Sequence, residues 1–82
     1  MGVIVVKPSG AVGAGIIKES AIGTPNGVLT VFETSENYYP ASLTVYLNGV
    51  RERFITELGG KQFSFSSAPR TGFVIDVEYV RR

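Results

Sequence analysis

Residues 42–50, SLTVYLNGV, constrain the fold of this chain more than any other stretch. Leu43, Val45 and Leu47 alternate with Thr44, Tyr46 and Asn48, the period of two of an extended segment with one apolar face and one polar face. Asn48-Gly49 follows at once. Both residues tolerate the positive φ of a tight turn and Val50 resumes the apolar pattern, so a β-hairpin is predicted here.

The same reading runs along the chain. Val3, Ile4, Val5 and Val6 form a short run that is apolar on both faces, as in a strand covered on both sides. It reads either as a first core strand or as an arm that pairs with another subunit, because the following PSGAVGAG is a glycine-rich connector. Residues 16–22 read as a short strand in preference to a turn of helix, since β-branched residues and flanking glycines favour extension. Residues 23–27, GTPNG, are dense in turn formers, and Asn26-Gly27 offers the positive φ of a hairpin. A strand over residues 28–34 follows, with burial open to both faces. Residues 35–41 read as a polar loop with adjacent Tyr38 and Tyr39, of which at most one packs inward. Residues 51–58 read as an edge strand or one in contact with a neighbour, with Phe54, Thr56 and Leu58 on one face, although Arg51, Phe54, Ile55 and Leu58 also match helical spacing. Gly59-Gly60 turns the chain, residues 62–66 form a strand with Phe63 and Phe65 on one face, and Pro69 marks another turn. Over residues 72–80, Phe73, Ile75, Val77 and Tyr79 share a face opposite Val74, Asp76, Glu78 and Val80, the clearest strand of all.

The expected fold is therefore all-β, a small antiparallel β-sandwich or barrel of about six to seven strands. Residues 1–15 form an N-terminal strand and Gly-rich arm, and residues 16–82 a single domain. Eighty-two residues are close to the length at which a core only just sustains a fold, so homo-oligomerisation is expected on physical grounds.

Composition narrows the chemistry. The chain has neither cysteine nor histidine, which removes disulfides, thiolate and imidazole metal ligands and the usual general base. No catalytic, cofactor-binding or metal-binding residue is assigned. Apolar residues never run to membrane-spanning length, and the opening, with Lys7 after its apolar residues, lacks the order of a signal peptide. The formal net charge of +1 is too mild for a dedicated phosphate-binding surface. Asp76 and Glu78, two apart on one strand, read as partners for Arg51, Arg53 or Lys61 across the sheet and not as a calcium site, which needs six or more oxygens. The GAVGAG segment lacks the ending and setting of a phosphate-binding loop and reads as a linker. Tyr38, Tyr39 and Tyr46, with Arg51 and Arg53, offer either a stacking platform for bases or sugars, or rings packed at an interface with wet hydroxyls. The mild charge argues against nucleic acid and favours the interface.

From about residue 18 to residue 82 these pieces fall in a particular order. They are Glu19, Pro25-Asn26-Gly27, Val31-Phe32, Tyr39-Pro40-Ala41-Ser42-Leu43, the Val45 to Arg51 hairpin, Thr56-Glu57, Phe63-Ser64-Phe65, Ala68-Pro69, Gly72 and Val77-Glu78-Tyr79. The series resembles a small β module that recurs in tailed-bacteriophage virion proteins, in tail fibres and in neck or baseplate parts. Between Arg51 and Thr56 the chain departs from that pattern, with Glu52-Arg53-Phe54-Ile55 in place of a turn and an Asp-Tyr pair.

The resemblance implies a non-enzymatic virion structural protein: a collar or neck, baseplate, fibre-attachment or capsid-decoration subunit assembled in the host cytoplasm. Its partners would be other virion proteins and copies of itself. The expected protein-contact residues are Val3, Ile4, Val5, Val6, Tyr38, Tyr39, Tyr46, Arg51 and Arg53. An alternative is a host receptor or glycan-binding module that uses Tyr38, Tyr39 and the loop tips, and a further one is a barrel for single-stranded nucleic acid.

Overall fold

The computed structural model describes residues 15–82. Seven strands form two antiparallel sheets: β1 (Ile16–Ser20), β2 (Val31–Glu33), β3 (Thr44–Leu47), β4 (Val50–Glu52), β5 (Ile55–Gly59), β6 (Gln62–Phe65) and β7 (Ile75–Val80). One sheet has the order β1-β7-β3-β4 and the other β2-β6-β5. Their inner faces meet in a core of Phe32, Phe63 and Phe65 from the smaller sheet and Val45, Ile75, Val77 and Tyr79 from the larger, with Tyr38 and Leu43 added from the loops. The expected all-β sandwich is what forms. The predicted strand at residues 3–6 lies outside the described residues.

The SLTVYLNGV segment folds as its pattern requires. Leu47 pairs with Val50, and between them Asn48 and Gly49 take φ of 52° and 83°, the doubly left-handed turn whose twist matches paired strands. The turn is also tied to the next strand in space. Asn48 N–H donates to the Val74 carbonyl and Val74 N–H to Asn48 Oδ1, both at 2.8 Å. The last strand, expected over residues 72–80, starts only at Ile75, because Gly72 turns the chain with φ of 89° and Phe73 stays outside the core. It is an interior strand, between β1 and β3, and supplies Ile75, Val77 and Tyr79 to the core.

Two further expectations are corrected. The strand over residues 28–34 shrinks to β2, and Val28 is 81 % exposed. Asn26 Oδ1 accepts from the N–H groups of both Val28 and Leu29, at 2.8 and 2.7 Å, and so holds the chain curled through residue 29. Of this pair of turn residues only Gly27 has positive φ, and the turn leads into the second sheet instead of closing a two-residue hairpin. The strand over residues 51–58 is broken into β4 and β5, because the chain crosses between sheets at Arg53 and Phe54. Glu52 Oε1 accepts from the Phe54 N–H at 3.0 Å and stabilises the bend. Of residues 16–22, expected as a strand, Ile16–Ser20 form one, and beyond it Ile22 exchanges both backbone hydrogen bonds with Glu33, which joins the sheets at one side.

The core is polar only where its hydrogen bonds are met. Thr34, fully buried, donates from Oγ1 to the Glu36 carbonyl at 2.6 Å, and no buried side-chain polar atom among the described residues lacks a partner. Gly23 sits against this core with φ of 130°, and a Cβ there would stand 2.6 Å from the Phe32 ring. Gly27 has φ of 82° and open space around it. We therefore expect Gly23→Ala to destabilise by about 2–4 kcal/mol, adding ring displacement to backbone strain, and Gly27→Ala by only about 1 kcal/mol, with urea unfolding as the measurement. Equal losses would show that the Phe32 contact is not what fixes Gly23.

Candidate interaction surfaces

Of the two adjacent tyrosines one is inside and one outside, as an extended chain demands. Tyr38 is 2 % exposed and Tyr39 50 %. The Tyr38 ring meets the Tyr79 ring edge-on at 6.3 Å, its hydroxyl donates to the Gln62 carbonyl, and it accepts from the Gly59 N–H at 3.2 Å. Burial first, and then the nearby Glu57 charge, push its hydroxyl above the ordinary tyrosine range, so it stays protonated and donates. Tyr38 is therefore removed from any contact surface.

Tyr79 closes the other end of the same pair. Its hydroxyl donates to Glu19 at 2.8 Å and accepts from the Glu36 N–H at 3.2 Å, and burial raises its pKa. Glu19 in turn accepts from the Ser35 N–H at 2.8 Å and from Ser35 Oγ at 2.6 Å. Burial opposes ionisation of this carboxyl, but the bonds from Ser35 and Tyr79 outweigh it and hold the pKa below its ordinary value of 4.5. Glu19 thus joins the first strand to the loop after β2 as a structural anchor.

The outward face of the larger sheet is polar and ordered in rows by strand register. Lys18, Glu78 and Thr44 lie side by side, and so do Ser20, Asp76, Tyr46 and Arg51. Lys18 Nζ lies 3.9 Å from Glu78, the one ion pair among the described residues, and Ser20 Oγ donates weakly to Asp76 at 3.4 Å. This corrects the expected partners, since β1 and not β4 lies beside the acidic face of β7, and Arg51, Arg53 and Lys61 reach neither carboxylate. Between these rows runs an open groove of about 360 Å³ lined by Lys18, Ser20, Tyr46, Asp76 and Glu78. A second depression of about 290 Å³ lies at the opposite edge and takes in Arg51 and Arg53. Both arginines are exposed.

The expected contact residues therefore separate. Tyr46 and Arg51 share one side of the larger sheet and Arg53 follows in the crossing between the sheets, whereas Tyr39 bonds through its N–H to the Val80 carbonyl and lies under the Arg82 guanidinium at 5.9 Å. Val80 and Asp76, the β7 neighbours of Tyr39 and Tyr46, are four residues apart, about 13 Å along the strand. One tyrosine platform does not form. Val3, Ile4, Val5 and Val6 lie outside the described residues.

Two further surfaces lie outside the expected contact residues. On the outside of the smaller sheet Phe54 is 74 % exposed and Val31 and Leu58 are also exposed, next to uncharged Thr56 and Ser64. The alternation of Phe54, Thr56 and Leu58 marked this face as a possible neighbour contact. The other is the free edge of β1, which no residue type announces.

No group of three or more His, Cys, Asp and Glu among the described residues is placed to hold a metal ion. No helix of the described residues is long and apolar enough to cross a membrane. Comparison with protein-family models, with curated proteins and with solved structures finds no match.

The Glu19 anchor makes stability depend on pH with a definite sign. A carboxyl with a depressed folded-state pKa contributes its stabilisation above its ordinary value and loses it as pH falls through the folded value. Unfolding free energy of the natural chain is thus expected to drop as pH is taken from neutral through 4.5 and below, and Glu19→Gln should flatten that part of the profile. At neutral pH the variant should be less stable by about 1–2 kcal/mol, since charge-assisted bonds from Ser35 and Tyr79 are weakened. Parallel profiles would remove Glu19 from this role.

Proposed function

We propose that the protein is a bacteriophage virion structural subunit, of the collar or neck, baseplate, fibre-attachment or capsid-decoration kind, and that it acts by assembly with other virion proteins and with copies of itself and not by catalysis. The observation that carries this reading is the ordered series from Glu19 to Tyr79. Its pieces fall on related structural duties: the Asn48-Gly49 turn, the buried Phe63 and Phe65, and the anchoring of Tyr79 by Glu19. Support also comes from the amount of apolar surface left outside the core, with Phe54 the most exposed aromatic, as expected of a subunit that docks.

Tailed particles purified from cells that carry the gene should contain the protein, by mass spectrometry and antibody labelling. Particles made without the gene should lack a discrete feature in electron micrographs. Purified particles free of the protein would overturn the reading.

The groove beside Tyr46 favours a second reading, a glycan- or receptor-binding module, because an aromatic ring among a lysine, a serine and two carboxylates can stack on a sugar and bond its hydroxyls. On that reading the purified protein binds host cells or polysaccharide and Tyr46→Ala abolishes binding without lowering the unfolding midpoint. On the assembly reading the same variant folds normally and loses affinity for a virion neighbour instead. A Tyr46→Ala protein that folds, assembles and binds as the natural chain does would take this face out of both readings. A single-stranded nucleic-acid barrel has less support, since the tyrosines stand apart and the net charge is only +1.

A further inference from the structure

β1 lies at the margin of the larger sheet and pairs only with β7. The direction of its free backbone groups follows from its ends. Arg81 N–H bonds to the Gly15 carbonyl and Ala21 N–H to the Ile75 carbonyl. In an antiparallel ladder alternate residues turn their groups toward the partner, so Gly15, Ile17, Glu19 and Ala21 face β7. The N–H and C=O groups of Ile16, Lys18 and Ser20 point away from the sheet, and nothing among the described residues accepts or donates to them. Past them, at Ile22, the same edge is sealed by Glu33.

The other margins are shorter, capped or crossed at one end. β4 has three residues, β2 is capped by Ile22, and β5 ends beneath residues 38–41, whose Tyr38 and Ala41 N–H groups bond to the Gly60 carbonyl and the Glu57 carboxylate. Beside the open edge stand exposed apolar side chains. Ile16 is 52 % exposed and pairs on the outer face with exposed Val80, while Ile17 and Ala21 are partly buried against the core on the inner face.

We propose that this edge receives residues 3–6 of a second copy of the chain as an added strand. The inference rests on the assembly reading above and names its contact. Val3, Ile4, Val5 and Val6 are apolar on both faces, which suits a strand with Ile16 and Val80 on one side and the rim of the core at Ile17 on the other. Strand addition answers the three free backbone pairs, which an apolar patch alone does not.

Pairing of β1 with itself across a two-fold axis would set Lys18 directly against its own copy, and opposed like charges disfavour it. The apolar run brings no charge to that position. Residues 7–15 link the run to β1 and are longer than hairpin loops of about two to five residues, yet span up to about 30 Å, enough to leave the domain for a neighbour. Each copy then gives one strand and receives one, and the contact is head-to-tail, a geometry that builds a ring where its rotation closes.

The test uses two full-length variants. Lys18→Pro removes an N–H that no described residue accepts and blocks the edge. Ile4→Asp spoils the donated run. Light scattering should show the natural chain associating above its single-copy mass of 8.8 kDa, with both variants reduced to single copies of unchanged circular dichroism. An equimolar mixture, which contains one good edge and one good run, should form a pair. In the natural assembly the Ile16, Lys18 and Ser20 amides should gain hydrogen-exchange protection that Ile4→Asp abolishes.

A natural chain of single-copy mass at every concentration would overturn the proposal. If its β1 amides were protected all the same, the run would be folding back on its own domain. Association that persists in both variants would also overturn it and would direct attention to Phe54. None of these results bears on whether the protein is found in particles, so the virion reading is judged separately.

Discussion

The contact on which the rest of this sandwich depends is the edge-on pair of Tyr38 and Tyr79. Each ring gives its body to the core and its hydroxyl to a backbone group that would otherwise be unpaired, a division that tyrosine can make and phenylalanine cannot. Through Gln62 and Gly59 the Tyr38 hydroxyl holds the β5–β6 turn, and through Glu19 and Glu36 the Tyr79 hydroxyl holds the first strand and the loop after β2. Two side chains thus join four segments that lie far apart in sequence. In a domain this small such links replace the disulfide or metal that other short chains use.

What could be read from the sequence follows from how local each determinant is. The Asn48-Gly49 turn and the alternation of Ile75, Val77 and Tyr79 are decided by neighbours one to four residues away and formed as predicted, while the first three residues expected in that strand did not join it. The inward choice of Tyr38 over Tyr39 is decided by Tyr79, some forty residues on, so the sequence showed only that one of the two would be buried. The early end of the strand before Val31 depends on a side-chain oxygen of Asn26 competing for backbone donors, a preference that apolar periodicity does not register. At Arg53 the apolar pattern continues unchanged while the chain changes sheets, so one periodic run became two strands.

The candidate surfaces were legible in the same uneven way. Tyr46 and Arg51 are neighbours because a hairpin of known register places them so. Lys18 meets Glu78 because the first strand inserts beside the last, a pairing of residues sixty apart that no local rule selects. Hence the acidic face of β7 was assigned the wrong cations, although its polar character was correct. Tyr39 and Tyr46 share a residue type and a position near the polar side, but β7 holds them apart, and a platform inferred from composition dissolves once register is known.

The two outer faces then divide the surface by chemistry. The larger sheet shows charges in rows, which a partner must match one by one, and the smaller sheet shows Val31, Phe54 and Leu58, which any apolar partner can cover. Specificity accordingly belongs to the larger sheet and its margins. Lys18 occupies the middle of the five-residue β1 edge, where its charge disfavours indiscriminate edge pairing. An exposed edge in so small a domain would be an aggregation hazard without that residue. With it, pairing of the edge with its own image is disfavoured.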